Sequence, residues 1–130
     1  MTSRVAETRL ASFTLIYLVG YAPVETWVSW PRLTSPYYLV DAIAMALLLW
    51  GSAQSLAKQP RRAPGLLTAG WAWTSANYWR AFFDRVQFVN EGGALHLGTA
   101  EYWTVGGALV MAIVCLGLSA AMTATLADDR

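Results

Sequence analysis

Apolar residues are concentrated in four long stretches of the chain, at residues 10–30, 37–56, 65–89 and 103–127. A helix rises about 1.5 Å per residue, so about 20 residues are enough to cross a hydrocarbon core of about 30 Å. Proline disfavours helix interiors, and of the five prolines only Pro23 lies inside a stretch. The pattern therefore predicts an all-α protein, an integral membrane four-helix bundle.

The connections between the stretches are short, so we expect residues 1–130 to form a single domain with up-down-up-down topology. Positive residues set its orientation. Arg4 and Arg9 precede the first stretch, and Lys58, Arg61 and Arg62 lie between the second and the third. Because short cytoplasmic segments carry an excess of lysine and arginine, both termini are predicted to be cytoplasmic. The expected location is the inner (plasma) membrane, as a multi-pass protein.

The composition excludes several classes of protein. Charged residues make up 13% of the chain, against roughly 25% in an ordinary soluble domain. The formal net charge is +1, which leaves no basic surface for nucleic acid. One cysteine, Cys115, and one histidine, His96, cannot form a disulfide framework or a Cys/His zinc site. We predict no metal, no cofactor and no nucleic-acid partner.

Charged residues inside the apolar stretches are the main candidates for function. The first three stretches contain them and the fourth has none. Counted from the outer end of each helix, these groups lie about 6 to 13 Å below the membrane boundary. A charge that faces lipid costs about 2.5 to 3.5 kcal/mol at the centre of the bilayer, so such groups usually turn inward and pair. The sequence predicts a polar cluster in the outer half of the bundle, formed by Glu25, Asp41, Arg80, Asp84 and Arg85.

The third stretch has a polar helical face. Spacings of three and four residues align Trp73, Asn77, Arg80, Asp84 and Gln87. Arg80 and Asp84 are four residues apart, as in an intrahelical ion pair, and Arg80 is at the depth of Glu25. Glu25 with Arg80 is the preferred contact between helices. Arg85 points about 100° away from Asp84, so we expect its side chain to extend to the interface.

The faces of the first two helices complete a predicted pocket. Tyr21 shares a face with Glu25, and Asp41 shares one with Met45. Pro23 has no backbone N–H group, so the backbone carbonyl of Val19 lacks its usual hydrogen-bond donor two residues before Glu25. The predicted ligand-binding residues are therefore Tyr21, Glu25, Asp41, Met45, Trp73, Asn77, Arg80 and Asp84.

The predicted cluster has one excess negative charge, because three acids face two arginines. A low dielectric disfavours that state, so either Asp41 or Glu25 holds a proton or a cation occupies the pocket. Trp73 and Tyr21 are expected to add cation–π attraction to a cationic ligand.

Three functions fit this cluster. The favoured one is the binding or transport of a small cation or amphipathic amine, with or without proton coupling. The second is a membrane enzyme of isomerase or hydrolase type on a lipidic substrate, with Glu25, Asp41 or Asp84 as acid or base and Arg80 as electrostatic stabiliser. The third is an assembly subunit of a larger membrane complex. The first is preferred because the cluster has no evident nucleophile.

Expected partners are the lipid bilayer and a small cationic or lipidic ligand. Small residues four positions apart in the last stretch permit close helix contact, either within the bundle or in a homo-oligomer. They are Ala108 with Ala112 and Gly117 with Ala121.

Overall fold

The computed structural model describes residues 2–30, 33–57 and 63–128. These residues form four helices and no strand: α1 (Thr2–Ser29), α2 (Pro36–Leu56), α3 (Ala63–Asn90) and α4 (Thr99–Asp128). The prediction of an all-α protein with four helices is confirmed. The basic residues of the segment 58–62, which helped to predict the orientation, lie outside the described residues.

Helices α1 and α4 begin earlier than the apolar pattern predicts. Helix α1 starts at Thr2 instead of residue 10, because hydrophilic residues such as Glu7 and Arg9 are themselves good helix formers. Helix α4 starts at Thr99 instead of residue 103 and has Glu101 in its first turn, where a negative charge favours the helix dipole. Hydropathy therefore locates these helices but understates their length.

Two helix ends have clear local causes. Helix α2 begins at Pro36, and the hydroxyl of Ser35 accepts a hydrogen bond from the Tyr38 amide at 3.5 Å, as an N-cap residue does. Helix α3 ends before Gly92, which has a φ of +88° that only glycine adopts easily. The amide of Gly93 then donates to the carbonyl of Phe88 at 2.9 Å.

Helices α2 and α3 approach each other closely at two glycines. A Cβ added to Gly51 would lie 2.9 Å from the backbone nitrogen of Leu67. One added to Gly70 would lie 2.7 Å from a methyl carbon of Leu48. Small residues at helix interfaces permit such contact in membrane proteins, so these glycines set the distance between α2 and α3.

The centre of the molecule is built around Trp71 on α3, which is fully buried. Its indole nitrogen donates a hydrogen bond to the hydroxyl of Thr14 on α1 at 3.2 Å. The ring of Tyr17 lies 5.3 Å away, between ring centroids. The buried indole donor is therefore satisfied, and its hydrogen bond links α3 to α1.

By length and composition, two helices are able to cross a membrane: Tyr38–Leu56 within α2 and Thr99–Thr125 within α4. The sequence predicted four spans. Helices α1 and α3 are more polar, since they hold most of the charged residues that the described helices contain.

Candidate functional site

A cavity of about 290 Å³ lies between α1, α2 and α3, and Val105 of α4 closes part of it. Each of the three helices contributes polar side chains to the cavity wall. The polar residues that line the cavity are Tyr17, Tyr21, Glu25, Asp41, Thr74, Asn77, Tyr78, Arg80 and Arg85. The cavity is thus a polar site in a chain whose composition is mostly apolar.

Asp41 occupies the α2 side of the cavity. Its Oδ1 accepts a hydrogen bond from the side-chain amide of Asn77 on α3 at 3.2 Å. Glu25 on α1 and Arg80 on α3 line the same cavity and are near enough for their charges to act on Asp41. Two carboxyl groups from different helices therefore share one polar enclosure, and their repulsion favours a proton or a cation between them.

Three tyrosines form the α1 and α3 walls. The hydroxyl oxygens of Tyr17 and Tyr78 are 2.7 Å apart, which is the length of a hydrogen bond. The ring of Tyr21 stacks on that of Tyr17 at 5.1 Å and meets that of Tyr78 edge-on at 6.1 Å. Glu25 follows Tyr21 by four residues on α1 and lines the same cavity. The aromatic cluster thus extends to the carboxyl pair and offers both ring faces and hydroxyl donors.

Arg85 forms an ion pair at the edge of the cavity. Its Nε lies 2.6 Å from Oε1 of Glu101 on α4, and its Nη1 donates to the carbonyl of Ala81 at 2.8 Å. The hydroxyl of Tyr102 donates to the carbonyl of Arg85 at 3.4 Å. From the sequence, the Arg85 side chain was predicted to extend to the membrane interface. The structure pairs it with Glu101, because α4 extends four residues further towards its N-terminus than predicted.

The charge balance around the cavity follows from these contacts. Glu25, Asp41 and Glu101 provide three carboxylates, and Arg80 and Arg85 provide two guanidinium groups. With every group ionised the site has one excess negative charge. The sequence predicted the same sum with a different third acid, Asp84. A partly enclosed site with that excess charge favours a bound cation or a shared proton.

The structure brings six of the eight predicted ligand-binding residues to the wall of this cavity: Tyr21, Glu25, Asp41, Met45, Asn77 and Arg80. Trp73 and Asp84 are not among the lining residues. The indole nitrogen of Trp73 donates to the carbonyl of Val40 at 3.0 Å, and its side chain is 40% exposed. Asp84 is exposed on the surface of α3.

The face that α3 turns inward differs in part from the predicted one. The inner face contains Trp71, Thr74, Tyr78, Ala81 and Arg85, which also follow spacings of three and four residues. The predicted face was centred one residue away, about 100° around the helix. Trp71 is the residue in the sequence that could have indicated the inner face, because a large aromatic residue at this spacing usually lies in the core.

Within residues 2–30, 33–57 and 63–128, no three His, Cys, Asp or Glu side chains are grouped closely enough to hold a metal ion. The acids that the cavity does contain are the pair Glu25 and Asp41.

Comparison with known proteins gives no relative: no protein-family model matches the sequence, and no curated protein or solved structure is significantly similar to it.

Proposed function

We propose that this chain is a single-domain integral membrane protein that binds or transports a small cation or amphipathic amine in the cavity between α1, α2 and α3. The observation that carries the proposal is the pair of carboxyl groups from Glu25 and Asp41, which line one cavity whose surrounding charged groups carry one excess negative charge. Burial of an uncompensated charge is unfavourable, so a cationic ligand would stabilise the site.

The outer surface of the bundle supports insertion into a membrane. Only 22% of each of the two apolar spans is buried inside the protein, whereas the core helix of a soluble protein would be mostly buried. Large apolar side chains point outward on the other helices and at the helix ends as well. Val19 is 76% exposed and Trp103 is 81% exposed. An apolar surface of this extent indicates contact with lipid or with partner proteins.

Contacts along the helices support the up-down-up-down topology. Asp41, in the first part of α2, contacts Asn77 in the second half of α3. Gly51, near the end of α2, approaches Leu67 near the beginning of α3. Helices α3 and α4 show the same opposite order in two contacts, Arg85 with Glu101 and Thr68 with Thr123. With the basic residues of the sequence on the inside, this topology gives both termini a cytoplasmic location.

The chemistry of the wall favours an amine as the ligand. An ammonium group donates up to three hydrogen bonds, and the two carboxyl groups and the tyrosine hydroxyls are suitable acceptors. The stacked rings of Tyr17 and Tyr21 add aromatic faces that attract a cation. At about 290 Å³, the cavity is at the lower end of the usual range for ligand pockets, so the ligand is small.

Proton coupling follows from the same carboxyl pair. In the absence of a cation, a proton shared by Glu25 and Asp41 removes the excess charge. An arriving amine makes that proton unnecessary, so binding releases it. Affinity for the amine is then expected to rise between pH 5 and pH 8, because protons compete less well for the carboxyl groups at higher pH.

The proposal is tested by titrating the detergent-purified protein with primary to quaternary amines and following tryptophan fluorescence or heat. Asp41→Asn removes one negative charge but keeps a polar side chain. We therefore expect amine affinity to fall tenfold or more, which is a loss of about 1.4 kcal/mol or more of binding free energy. Asp84→Asn is the matched control. It removes an acid that does not line the cavity, and affinity should change by less than about twofold.

Other outcomes would identify the alternatives. Binding of neutral sterol-like or isoprenoid molecules alone, independent of pH, would favour the membrane enzyme. If no ligand of either kind bound, the assembly subunit would become the better interpretation. Equal losses in Asp41→Asn and Asp84→Asn would contradict the assignment of the ligand to this cavity.

A further inference from the structure

A second and larger cavity involves residues of α1 and α4. It is a groove of about 880 Å³ between α1 and α4, two helices that pack together less extensively than the other neighbouring pairs. Its walls are apolar, with Leu10 and Phe13 on α1 and Met111 and Leu118 on α4. Arg9 is the one charged residue among those that line it.

One wall of the groove has the length of a lipid tail in one leaflet. On α1 the lining from Arg9 to Phe13 spans about 6 Å of helix, and Val5 and Ala6 lie on the other side of Arg9. On α4 the lining runs from Met111 to Met122, which is about 16 Å. Half of a hydrocarbon core of about 30 Å is about 15 Å. A single acyl chain therefore matches the α4 wall of the groove along its length.

The position of Arg9 defines the headgroup. Arg9 precedes the apolar part of α1, where the proposed orientation places the cytoplasmic surface of the membrane. Anionic lipids are concentrated in the cytoplasmic leaflet, and a guanidinium group binds phosphate through strong charge-assisted hydrogen bonds. The nearest acid in the sequence, Glu7, does not line the groove. The charge at the groove is therefore positive and complementary to a phosphate.

We propose that the groove between α1 and α4 binds one anionic phospholipid, with an acyl chain along Leu10, Phe13 and Leu118 and the headgroup phosphate at Arg9. The proposal rests on the membrane insertion and orientation proposed above, but not on the cavity around Asp41. The occupant is a phospholipid because apolar walls and a single basic group together match its tail and its headgroup.

The test is native mass spectrometry of the full chain in detergent with equal amounts of phosphatidylglycerol and phosphatidylcholine that have the same acyl chains. Wild-type protein should retain one phosphatidylglycerol with a preference of about fivefold, from about one arginine–lipid interaction. Arg9→Gln should abolish the preference. Arg4→Gln is the matched control, since it removes a neighbouring positive charge outside the groove, and it should keep the preference.

A second pair of variants tests the groove itself. Val114→Trp places a large side chain among the lining residues and should displace the retained lipid. Val110→Trp, on the same helix but outside the groove, should not displace it. Both positions are more than half exposed, so neither substitution crowds the core.

Four results would overturn the proposal. The first is an unchanged preference in Arg9→Gln, and the second is an equal loss in Arg4→Gln, which would indicate diffuse surface charge. The third is equally strong binding of glycerol phosphate without acyl chains. The fourth is a dimer that forms in place of lipid binding and is broken by Val114→Trp, which would assign the groove to a second copy. Asp41→Asn should retain the lipid preference, so failure of amine binding would leave this proposal standing.

Discussion

Arg85 and Glu101 form an ion pair between α3 and α4, with 2.6 Å between Nε and Oε1. Arg85 lines the polar cavity while Glu101 approaches it from outside, so Glu101 neutralises one of the two guanidinium groups in the wall. This pair is what leaves the carboxyl groups of Glu25 and Asp41 in excess over positive charge.

Substitutions that remove the charge of Arg85 or of Glu101 should change amine affinity in opposite directions. Glu101→Gln raises the positive charge of the site and should weaken amine binding, whereas Arg85→Gln should strengthen it. At an effective dielectric of about 20, charges about 10 Å apart interact by about 1.7 kcal/mol before screening, so changes of several-fold are expected. Amine titration of each variant measures the effect, with Glu91→Gln as a control for an exposed acid. Changes in the same direction would show that the pair acts only through folding.

The close approach of α2 and α3 gives a prediction for stability. Gly51→Ala places a Cβ against the Leu67 backbone, which is unable to move aside as a flexible side chain would, so we expect a loss of about 1 to 3 kcal/mol. Gly117→Ala on α4 is the control, because no atom lies within 4 Å of its added Cβ and alanine is the better helix former. Thermal unfolding in detergent should separate the two variants. Equal midpoints would contradict the packing at Gly51.

The contact between Glu25 and Arg80 remains a prediction from the sequence, and both residues line the cavity. Removing one partner of an ion pair leaves the other charge uncompensated in the cavity wall, so each single change to leucine should destabilise more than the double change. A double-mutant cycle on thermal stability should give a coupling of about 0.5 to 3 kcal/mol. Additive effects would mean that the two side chains do not interact.

The orientation is testable with cysteines introduced one at a time at Gln59 and Ala94 in a Cys115→Ala background. We expect an impermeant thiol reagent to label intact cells at Ala94, in the outer connection between α3 and α4, and not at Gln59. Lysed cells provide the control that both thiols react. The reverse pattern in intact cells would invert the proposed topology.

The helices could be predicted from the sequence because each is marked by a long apolar stretch. The rotation of α3 could not, since polar and aromatic residues occur on more than one of its faces. The side chains of Asn77 and Arg80 still line the cavity, while those of Trp73 and Asp84 do not. Hydropathy and spacing alone do not choose between two such faces.

Contacts between distant parts of the chain could not be predicted from hydropathy and residue spacing either. Nothing in the sequence indicates that Tyr17 and Tyr78 meet, although each follows the spacing of its own inner face. The partner of Arg85 depended on where α4 begins, and that start was set by Glu101 and its neighbours and not by hydropathy. The sequence was therefore enough to predict a polar site, whereas the residues that line it depend on tertiary packing.

The most direct test of the cation site is the number of protons released when an amine binds. The measurement uses purified protein in weakly buffered detergent solution at pH 6 with an indicator dye, and an amine concentration that saturates binding. If Glu25 and Asp41 share a proton that the amine replaces, wild-type protein should release up to about one proton per amine bound, and Asp41→Asn should release almost none. Amine binding without proton release, and with the same affinity in Asp41→Asn, would contradict a cation site at this carboxyl pair.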